Sequence, residues 1–308
     1  MDRPDAPSGR AAVSIPSKLD YDLFVAAARA IETRHDEPLI EDPFASALVM
    51  AAGNPLSIAY METPVVEPPV TAPELFHWTI SRLGAAIDRN YDDQLLRAAD
   101  AGVRQIVLVG AGLDTRAYRL SWPSATTVYE LDYLRTFTFK DPVMAMLGAQ
   151  PRCQRAVVHA DADTAWPTSL CAKGFDPDEP SAWLIAEILI GLTPKAQDYL
   201  LERVIELSAP GSWIITDHDI VFGPQEMWHS LADAFLPEPI RAANPWMLFY
   251  PGERTPPSAW LAGHGWRIAS ESSGDIAERY GRSFPVEKLP VAAFHAARRI
   301  MTATLPKP

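Results

Sequence analysis

A short apolar run that ends in a glycine turn constrains the fold of this chain more than any other feature. Residues 105–109 (QIVLV) are apolar enough to form a buried parallel strand, and Gly110 and Gly112 follow immediately. Glycine permits a sharp turn, and because it lacks a side chain a ligand can lie against the backbone. A second apolar run, residues 128–132 (VYELD), ends in an acid about twenty residues later, where doubly wound sheets place a carboxylate that binds ribose. These features predict a doubly wound α/β fold and a ligand with an adenosine-like ribose.

The residues of the turn distinguish between two cofactors. A dinucleotide fingerprint needs a third small residue, where the helix packs closely under a pyrophosphate, but here Thr115 follows the glycines. Asp114 also brings negative charge close to the position of a pyrophosphate, which disfavours it. S-adenosylmethionine has no phosphate and carries a positive sulfonium. The turn therefore favours S-adenosylmethionine, with NAD as the alternative.

Motifs spread over nearly the whole chain carry a resemblance to a known family. They are 29–32 (RAIE), 42–45 (DPFA), 110–120 (GAGLDTRAYRL), 130–132 (ELD), Asp161, Trp166, 174–176 (GFD), Pro180, Trp183, Glu187, 210–212 (PGS), 265–266 (GW) and 280–282 (YGR). Through these motifs the chain from Ala28 to Arg282 resembles the leucine carboxyl methyltransferase and polyketide O-methyltransferase family. The GAGLDTRAYRL segment is quite specific to that family. The resemblance implies a Rossmann-like methyltransferase fold, S-adenosylmethionine as the cofactor and methyl transfer as the reaction.

Three parts are predicted along the chain. Residues 1–18 are rich in proline, serine and charge and are predicted to be a disordered tail. Residues 19–102 are predicted to form a helical cap, and residues 103–308 the S-adenosylmethionine-binding domain. Within the cap, the predicted helices are about 20–52 with Asp22 as a cap and breaks at Pro38 and Pro43, a helix that reaches Asp88, and a helix from Tyr91 to Ala101.

Strands and helices alternate after residue 103, as a mostly parallel sheet requires. Strands are predicted near 105–109, 126–131, 155–160, 182–187, 212–217, Trp266–Glu271 and Val291–His295, and helices near 115–120, 134–147 and 194–208. Residues of about 220–258 interrupt this alternation, because prolines are dense there among aromatic residues. This segment is predicted to be an inserted lid over the ligand.

Composition restricts the partners of the chain. A formal net charge of -12 argues against nucleic acid and anionic membranes, which both need a basic surface. No apolar run is long enough for a membrane span or a signal peptide. Cys153 and Cys171 lack the spacing of a metal or redox site, so we predict free thiols and no metal. We expect a cytoplasmic enzyme that acts on a small-molecule acceptor; the oligomeric state is left open.

The ends of the predicted strands indicate which residues hold the cofactor, because ligands of open α/β sheets bind there. The predicted turn consists of Gly110, Ala111 and Gly112. The resemblance implies that Asp132 binds the ribose, and Glu130 shares its strand face. It also implies that Asp161 accepts a hydrogen bond from the adenine amino group, with the backbone N–H of Ala162 facing the ring. The alternative for Asp161 is a helix cap.

The resemblance further places Glu187 near the methionine moiety of the cofactor. Relatives have Glu-Gly-Leu-Leu-x-Tyr-Leu there, whereas residues 187–192 read EILIGL. Because Ile188 replaces a glycine and Gly191 a tyrosine, we predict that this wall of the acceptor pocket has changed shape, and that the substrate or even the reaction differs.

Relatives also carry an arginine that pairs with the cofactor carboxylate, on the helix before the first strand. Strict spacing puts Ile87 at that position, and Arg89 and Arg82 are the nearest arginines. We assign the role to Arg89, with an exposed helix arginine as the alternative.

Residues 216–219 (TDHD) follow the fifth predicted strand and offer a base. A carboxylate acceptor needs none, but a hydroxyl acceptor does, and His218 with the adjacent Asp217 supplies one. In an extended chain His218 points away from Asp217, so the two do not converge on a metal ion. The alternative is a histidine that is hydrogen-bonded for structural reasons.

The favoured function is that of an S-adenosylmethionine-dependent O-methyltransferase acting on a carboxyl or hydroxyl group of a small, secondary-metabolite-like molecule. One alternative keeps the cofactor but catalyses a cyclisation or rearrangement without methylation. Another is an NAD-dependent oxidoreductase.

Overall fold

The computed structural model of the chain describes residues 18–160, 165–218, 253–282 and 298–307. Seven strands of the described residues form one sheet in the order β3-β2-β1-β4-β5-β7-β6. They are β1 (Gln105–Val109), β2 (Thr127–Asp132), β3 (Gln154–His159), β4 (Ser181–Ile185), β5 (Trp213–His218), β6 (Arg267–Ser272) and β7 (Arg299–Thr304). The first five are parallel, while β7 runs antiparallel to both β5 and β6. The order reverses between β1 and β4, which is where open α/β sheets bind ligands.

The central strands are buried on both faces, so they are continuously apolar rather than alternating. Ile106 and Leu108 of β1 pack into one core, with helices from the first third of the chain. Val107 and Val109 point the opposite way into a second core. This two-residue period follows from strand geometry. The doubly wound, mostly parallel sheet is therefore as the sequence predicts.

The helices of the described residues cover these two faces. They are α1 (Lys18–Thr33), α2 (Ala45–Ala52), α3 (Pro55–Glu62), α4 (Ala72–Trp78), α5 (Gly84–Asp100), α6 (Arg116–Arg119), α7 (Leu134–Met146), α8 (Trp166–Ala172), α9 (Pro194–Glu206), α10 (Pro257–Gly263) and α11 (Ser273–Arg279). A π-helical turn, Thr79–Leu83, joins α4 to α5. A 3-10 turn, Leu189–Gly191, follows β4.

Local chemistry explains where several helices begin. The Thr71 side chain accepts a hydrogen bond from the backbone N–H of Glu74, whose carboxylate binds the Thr71 N–H in return, which is a capping box. Thr193 caps α9 through the N–H of Ala196, and Pro194 occupies the first helical position. The start of α9 at the Thr193–Pro194 pair is as the sequence predicts.

Two predictions about elements are wrong. Asp22 does not cap a helix, because the chain is already helical from Lys18. The predicted break between Asp88 and Tyr91 does not occur, because α4, the π turn and α5 form one continuous helical segment without a proline after its first turn.

Other predictions fall on residues beyond the described structure. The tail up to residue 17, most of the predicted lid (219–252) and the predicted strand Val291–His295 lie outside the described residues.

Candidate functional site

A large cavity opens at the carboxyl ends of β1, β2 and β4, beside the point where the strand order reverses. Its volume is about 600 Å³, within the ~300–1,000 Å³ range of small-molecule sites. Residues from α1, α5, the turn after β1, the ends of β2 and β4, and α9 line it. The cavity therefore lies where the sequence predicts the ligand.

The turn after β1 is held against β2 by its own backbone. Gly110 and Gly112 have φ angles of 68° and 48°, in the left-handed region that favours glycine. The N–H groups of Gly110 and Ala111 donate to the carbonyl of Leu131 at 2.8 and 3.0 Å. Gly110 and Ala111 line the cavity.

Asp132 ends β2 with its carboxylate at the cavity, and four donors hold it. Oδ2 accepts hydrogen bonds from the N–H of Gly112 at 2.6 Å and from Nζ of Lys18 at 2.8 Å. Oδ1 accepts from the N–H of Tyr133 at 2.6 Å and from the hydroxyl of Thr136 at 3.1 Å. Because four donors already occupy this buried carboxylate, a pair of ligand hydroxyl groups can bind it only by replacing one of them, and the Lys18 ammonium is the donor from a separate helix.

Two side chains of α1 reach into this part of the cavity. Nζ of Lys18 also lies 2.8 Å from Oδ2 of Asp22 and 3.5 Å from the carbonyl oxygen of Gly110. The Asp22 carboxylate lies against Gly112, because a Cβ at that glycine would be 2.7 Å from Cγ of Asp22. Gly112 is thus covered by Asp22, and the remaining cavity lies beside it.

Burial and the neighbouring charges shift the pKa values of Asp22 and Lys18. Burial raises the pKa of Asp22 to about 6, although the Lys18 ammonium opposes this. Burial lowers the pKa of Lys18, but Asp22 and Asp132 outweigh it, so the pKa lies above its usual value. Sequence reasoning missed Lys18 because it lies at the border of the segment predicted to be a tail.

Glu187 follows β4 and lines the same cavity in a strained conformation. Its φ of 60° is left-handed, which costs a residue other than glycine about 1–3 kcal/mol and is most often found at functional sites. One carboxylate oxygen accepts a hydrogen bond from the hydroxyl of Tyr21, and the other from Arg298 at 2.7 Å. The backbone N–H of Glu187 donates to Oδ1 of Asp217 at 2.6 Å.

Arg298 joins Glu187 to Asp217. Its guanidinium lies 3.3 Å from Oδ2 of Asp217 in addition to its contact with Glu187. Burial would raise the pKa of Glu187, but Arg298 and the hydrogen bond from Tyr21 outweigh it and keep the pKa below its usual value. Burial holds the pKa of Asp217 above its usual value, against the effect of Arg298. Asp217 therefore has a positioning contact with Glu187, which sequence reasoning did not predict.

Two residues of the predicted cofactor set do not reach the cavity. Glu130 is fully buried two residues before the strand end, where Nζ of Lys140 at 2.8 Å and Nη2 of Arg155 at 2.7 Å hold its carboxylate. Arg89 is exposed and pairs with Asp93 at 2.9 Å. A helix turns about 100° per residue, so Arg89 faces away from the side of α5 that lines the cavity.

The structure describes the remaining predicted site residues only in part. Asp161 and Ala162 lie outside the described residues. His218 is the last residue of β5, opposite Arg299 in the register, and its side chain is outside the described part of the structure.

Three arginines line the cavity, and sequence reasoning selected none of them. Two of these, Arg29 and Arg116, are neutralised by acids of the chain. Nε of Arg29 lies 2.9 Å from Oδ2 of Asp42 and Nη2 donates to the carbonyl of Leu113 at 2.7 Å. Arg116 forms ion pairs with Asp88, Asp92 and Asp114. The motifs that contain Arg29, Asp42 and Arg116 therefore build the frame of the site.

Tyr91 of α5 differs from these groups. It lines the cavity, and its side chain is almost fully buried. Within the described part of the chain its hydroxyl has no hydrogen-bond partner. Buried hydroxyls normally have one, so a ligand is a reasonable partner for this group.

The wall after β4 is apolar. Its side chains are Ile188, Ile190, Leu192, Ala196 and Leu200. Ile188 packs on Gly110, where an added Cβ would be 2.6 Å from Cγ2 of Ile188. Ile188 thus narrows the space above the turn, while the predicted difference of this wall from that of relatives stays a prediction.

Two kinds of feature are not found in the described ranges. No cluster of three or more histidine, cysteine or acidic side chains within them could bind a metal ion. No described helix has both the length and the apolarity that a membrane span needs.

A family model and several relatives match more than half of this chain. The model of the leucine carboxyl methyltransferase family matches residues 22–205. A relative from Mycobacterium ulcerans (strain Agy99), named as an S-adenosyl-L-methionine-dependent methyltransferase, is 38% identical over 295 residues, covering 90% of this chain and 93% of its own. A relative of the same name from Mycobacterium tuberculosis (strain ATCC 25177 / H37Ra) is 36% identical over 300 residues, covering 90% and 93%. A solved structure from Thermobifida fusca YX, named as a methyltransferase, covers 95% of this chain and 98% of its own, with 15% identity and a TM-score of 0.49.

Proposed function

Because the chain belongs to the leucine carboxyl methyltransferase family and is an S-adenosylmethionine-dependent methyltransferase, we propose that it methylates a carboxyl or hydroxyl oxygen of a small molecule. One observation carries the proposal. Two carboxylates, the buried Asp132 and the partly buried Glu187, flank the glycine turn in a cavity large enough for the cofactor and part of an acceptor.

The residues present fit the cofactor. Asp132 is the proposed ligand of the ribose hydroxyls, and the backbone of Gly110 and Ala111, which lines the cavity, lies beside it. Glu187 is the proposed ligand of the amino group at the methionine end, since Arg298 and Tyr21 keep it charged and oriented. Asp161 and Ala162 remain the proposed adenine ligands on the basis of the family resemblance. Glu130 and Arg89 are not included, because both are engaged elsewhere.

The chemistry demands mainly orientation from the protein. When bound, the cofactor supplies a methyl group that is already activated by its sulfonium. The frame of Arg29, Arg116 and their acids holds the turn rigid, and alignment of reacting atoms can contribute about 7–11 kcal/mol. A carboxylate acceptor is ionised at neutral pH and needs no base. For a hydroxyl acceptor His218 is the proposed base.

Ligand binding tests the cofactor part of the proposal. Isothermal titration should give binding of S-adenosylhomocysteine but not of NAD. Asp132→Asn should weaken S-adenosylhomocysteine binding by about tenfold or more, because charge-assisted hydrogen bonds are lost. Asp141→Asn is the matched control, since Asp141 is exposed on α7 and pairs with Arg155. Unchanged affinity in Asp132→Asn would overturn the assignment of the ribose.

Mass spectrometry tests the reaction. The protein is incubated with methyl-deuterated S-adenosylmethionine and a small-molecule extract. A product that gains one labelled methyl group in place of one hydrogen supports O-methylation. Products that are isomers of extract components, without label, would instead support the cyclisation or rearrangement.

A further inference from the structure

A second, smaller cavity of about 120 Å³ lies between α1 and the continuous helical segment of α4, the π turn and α5. Its walls are mainly apolar and include Phe24, Val25, Ile80, Leu83 and Ile87. At one end it is lined by Tyr21, Arg29, Asp88 and Glu187, which also line the main cavity. The two cavities therefore share a polar junction at Glu187.

The backbone beside this cavity departs from regular helix. Thr79, Ile80 and Leu83 belong to the π turn, and all three line the cavity. Single π turns within α-helices are rare overall, but those that occur are frequently found at functional sites. The turn contains no proline, so its sequence does not force the irregularity.

Gly84 follows the π turn and also lines the cavity. Glycine inside a helix is less favourable than alanine, because it loses more conformational freedom on folding. The φ of Gly84 is -55°, which any residue adopts. A Cβ there would have no atom within 4 Å, so close packing does not require glycine either. Glycine at position 84 leaves open a part of the cavity that a larger side chain would fill.

We propose that this cavity is the acceptor subsite and that it takes an apolar group, either a short alkyl chain or a single ring. The proposal rests on the proposed function and specifies its substrate class. An apolar cavity of ~150 Å³ accommodates a benzene-sized molecule, so a volume of about 120 Å³ suits a group of this kind. A charged group is excluded from the apolar end because its desolvation would be uncompensated.

The junction then determines where the reacting oxygen lies. With its apolar group between α1 and the π turn, the acceptor presents its carboxyl or hydroxyl oxygen at the polar junction, beside the hydrogen-bonded pair of Tyr21 and Glu187 and toward the main cavity. The substrate class is therefore a small amphiphilic molecule with an apolar end and one oxygen function at the other.

Filling the cavity tests the proposal. Gly84→Leu places a side chain in the open space, and Gly84→Ala is the smaller step. Gly263→Leu is the matched control, because Gly263 is an exposed glycine in α10 and its Cβ would also meet nothing within 4 Å. The probe is benzyl alcohol, titrated by NMR into the full chain loaded with S-adenosylhomocysteine.

We expect benzyl alcohol to bind wild type and Gly263→Leu equally. Binding to Gly84→Leu should fall by about tenfold or more and binding to Gly84→Ala by less, because the volume is filled in steps. Affinity for S-adenosylhomocysteine should stay the same in all four proteins, and the melting temperature of Gly84→Ala should not fall.

Two results would overturn the subsite: no binding of benzyl alcohol to wild type, or equal binding to wild type and both Gly84 variants. The proposed function fails separately, if wild type binds benzyl alcohol but not S-adenosylhomocysteine.

Discussion

Nζ of Lys18 lies 2.8 Å from Oδ2 of Asp132, so the carboxylate proposed to bind the ribose is already paired with the first described residue of α1. Asp22 on the same helix covers Gly112, and Tyr21 donates to Glu187. One helix therefore contacts both carboxylates of the site. A cofactor that binds Asp132 has to take over the position of the Lys18 ammonium.

This exchange makes a prediction about affinity. Lys18→Met keeps the length of the side chain but removes the competing charge. Because the proposed ribose ligand would have to displace Lys18 from Asp132, loss of this contact should tighten binding of S-adenosylhomocysteine about fivefold. Isothermal titration measures the change, and Lys173→Met, on the exposed end of α8, is the control. Weaker binding in Lys18→Met would mean that Lys18 contacts the cofactor instead.

The raised pKa of Asp22 predicts that the stability of the protein depends on pH. Burial raises its folded pKa to about 6 from a usual value of 3.8, so the folded protein binds more protons than the unfolded chain between these values. The contribution of Asp22 to the free energy of unfolding therefore falls as pH rises through this window, by up to about 3 kcal/mol. Denaturant unfolding of wild type and Asp22→Asn at several pH values measures the difference.

The control for that series is Asp20→Asn, because Asp20 lies on the same turn of α1 and accepts a hydrogen bond from Asn54 at 2.9 Å. If the wild type and Asp22→Asn curves run parallel from pH 4 to pH 7, the carboxylate of Asp22 is not buried as described.

Removal of the Tyr91 hydroxyl should change ligand binding without lowering the stability of the fold. Tyr91→Phe removes only a hydroxyl that lacks a partner in the described structure, so the melting temperature should stay constant or rise slightly. Affinity for S-adenosylhomocysteine or for an acceptor should fall if the ligand satisfies this group. Differential scanning calorimetry and titration provide the two readouts.

Tyr280→Phe is the contrasting variant, because the hydroxyl of Tyr280 donates to Asp93 at 2.8 Å. Its removal should destabilise the fold by about 1–3 kcal/mol. A similar loss of stability in Tyr91→Phe would show that the Tyr91 hydroxyl has a structural partner.

Of the variants considered, removal of the Arg298 guanidinium should cause the largest loss of stability. Arg298→Met leaves the buried Asp217 and the partly buried Glu187 without their shared cation, which should lower the free energy of unfolding by about 3–5 kcal/mol. Arg298→Lys retains a charge and should recover part of the loss. Chemical denaturation at neutral pH measures both variants, and equal stability of Arg298→Met and wild type would contradict the pairing.

The methyltransferase fold and half of the polar site could be predicted from sequence because the signals are local. The strand 105–109, its glycine turn and the acid at the end of β2 lie close together in the chain, and strand period and turn chemistry relate them directly. Glu187 and Ile188 were also expected at the site from the resemblance, and both line the cavity.

Predictions that depend on the direction in which a side chain points from its helix or strand were less successful. Arg89 was chosen within two residues of the expected position, but on a helix that offset turns a side chain to the opposite face. Glu130 has the right strand face, yet it is two residues too early and pairs with Lys140 of α7. Neither error could be recognised without the packing of the neighbouring helix.

The sequence alone determined the sheet, the cofactor class and the position of the glycine turn, since these depend on patterns within short segments. Only the tertiary structure decided which distant groups meet there. Lys18, Tyr21 and Arg298 are more than 100 residues from their partners Asp132 and Glu187, as is evident from their numbers, and α1 and β7 bring them together. The space that Gly84 leaves open is likewise defined by α1 across from it. Such contacts arise from packing of separate elements, and no local pattern in the chain encodes them.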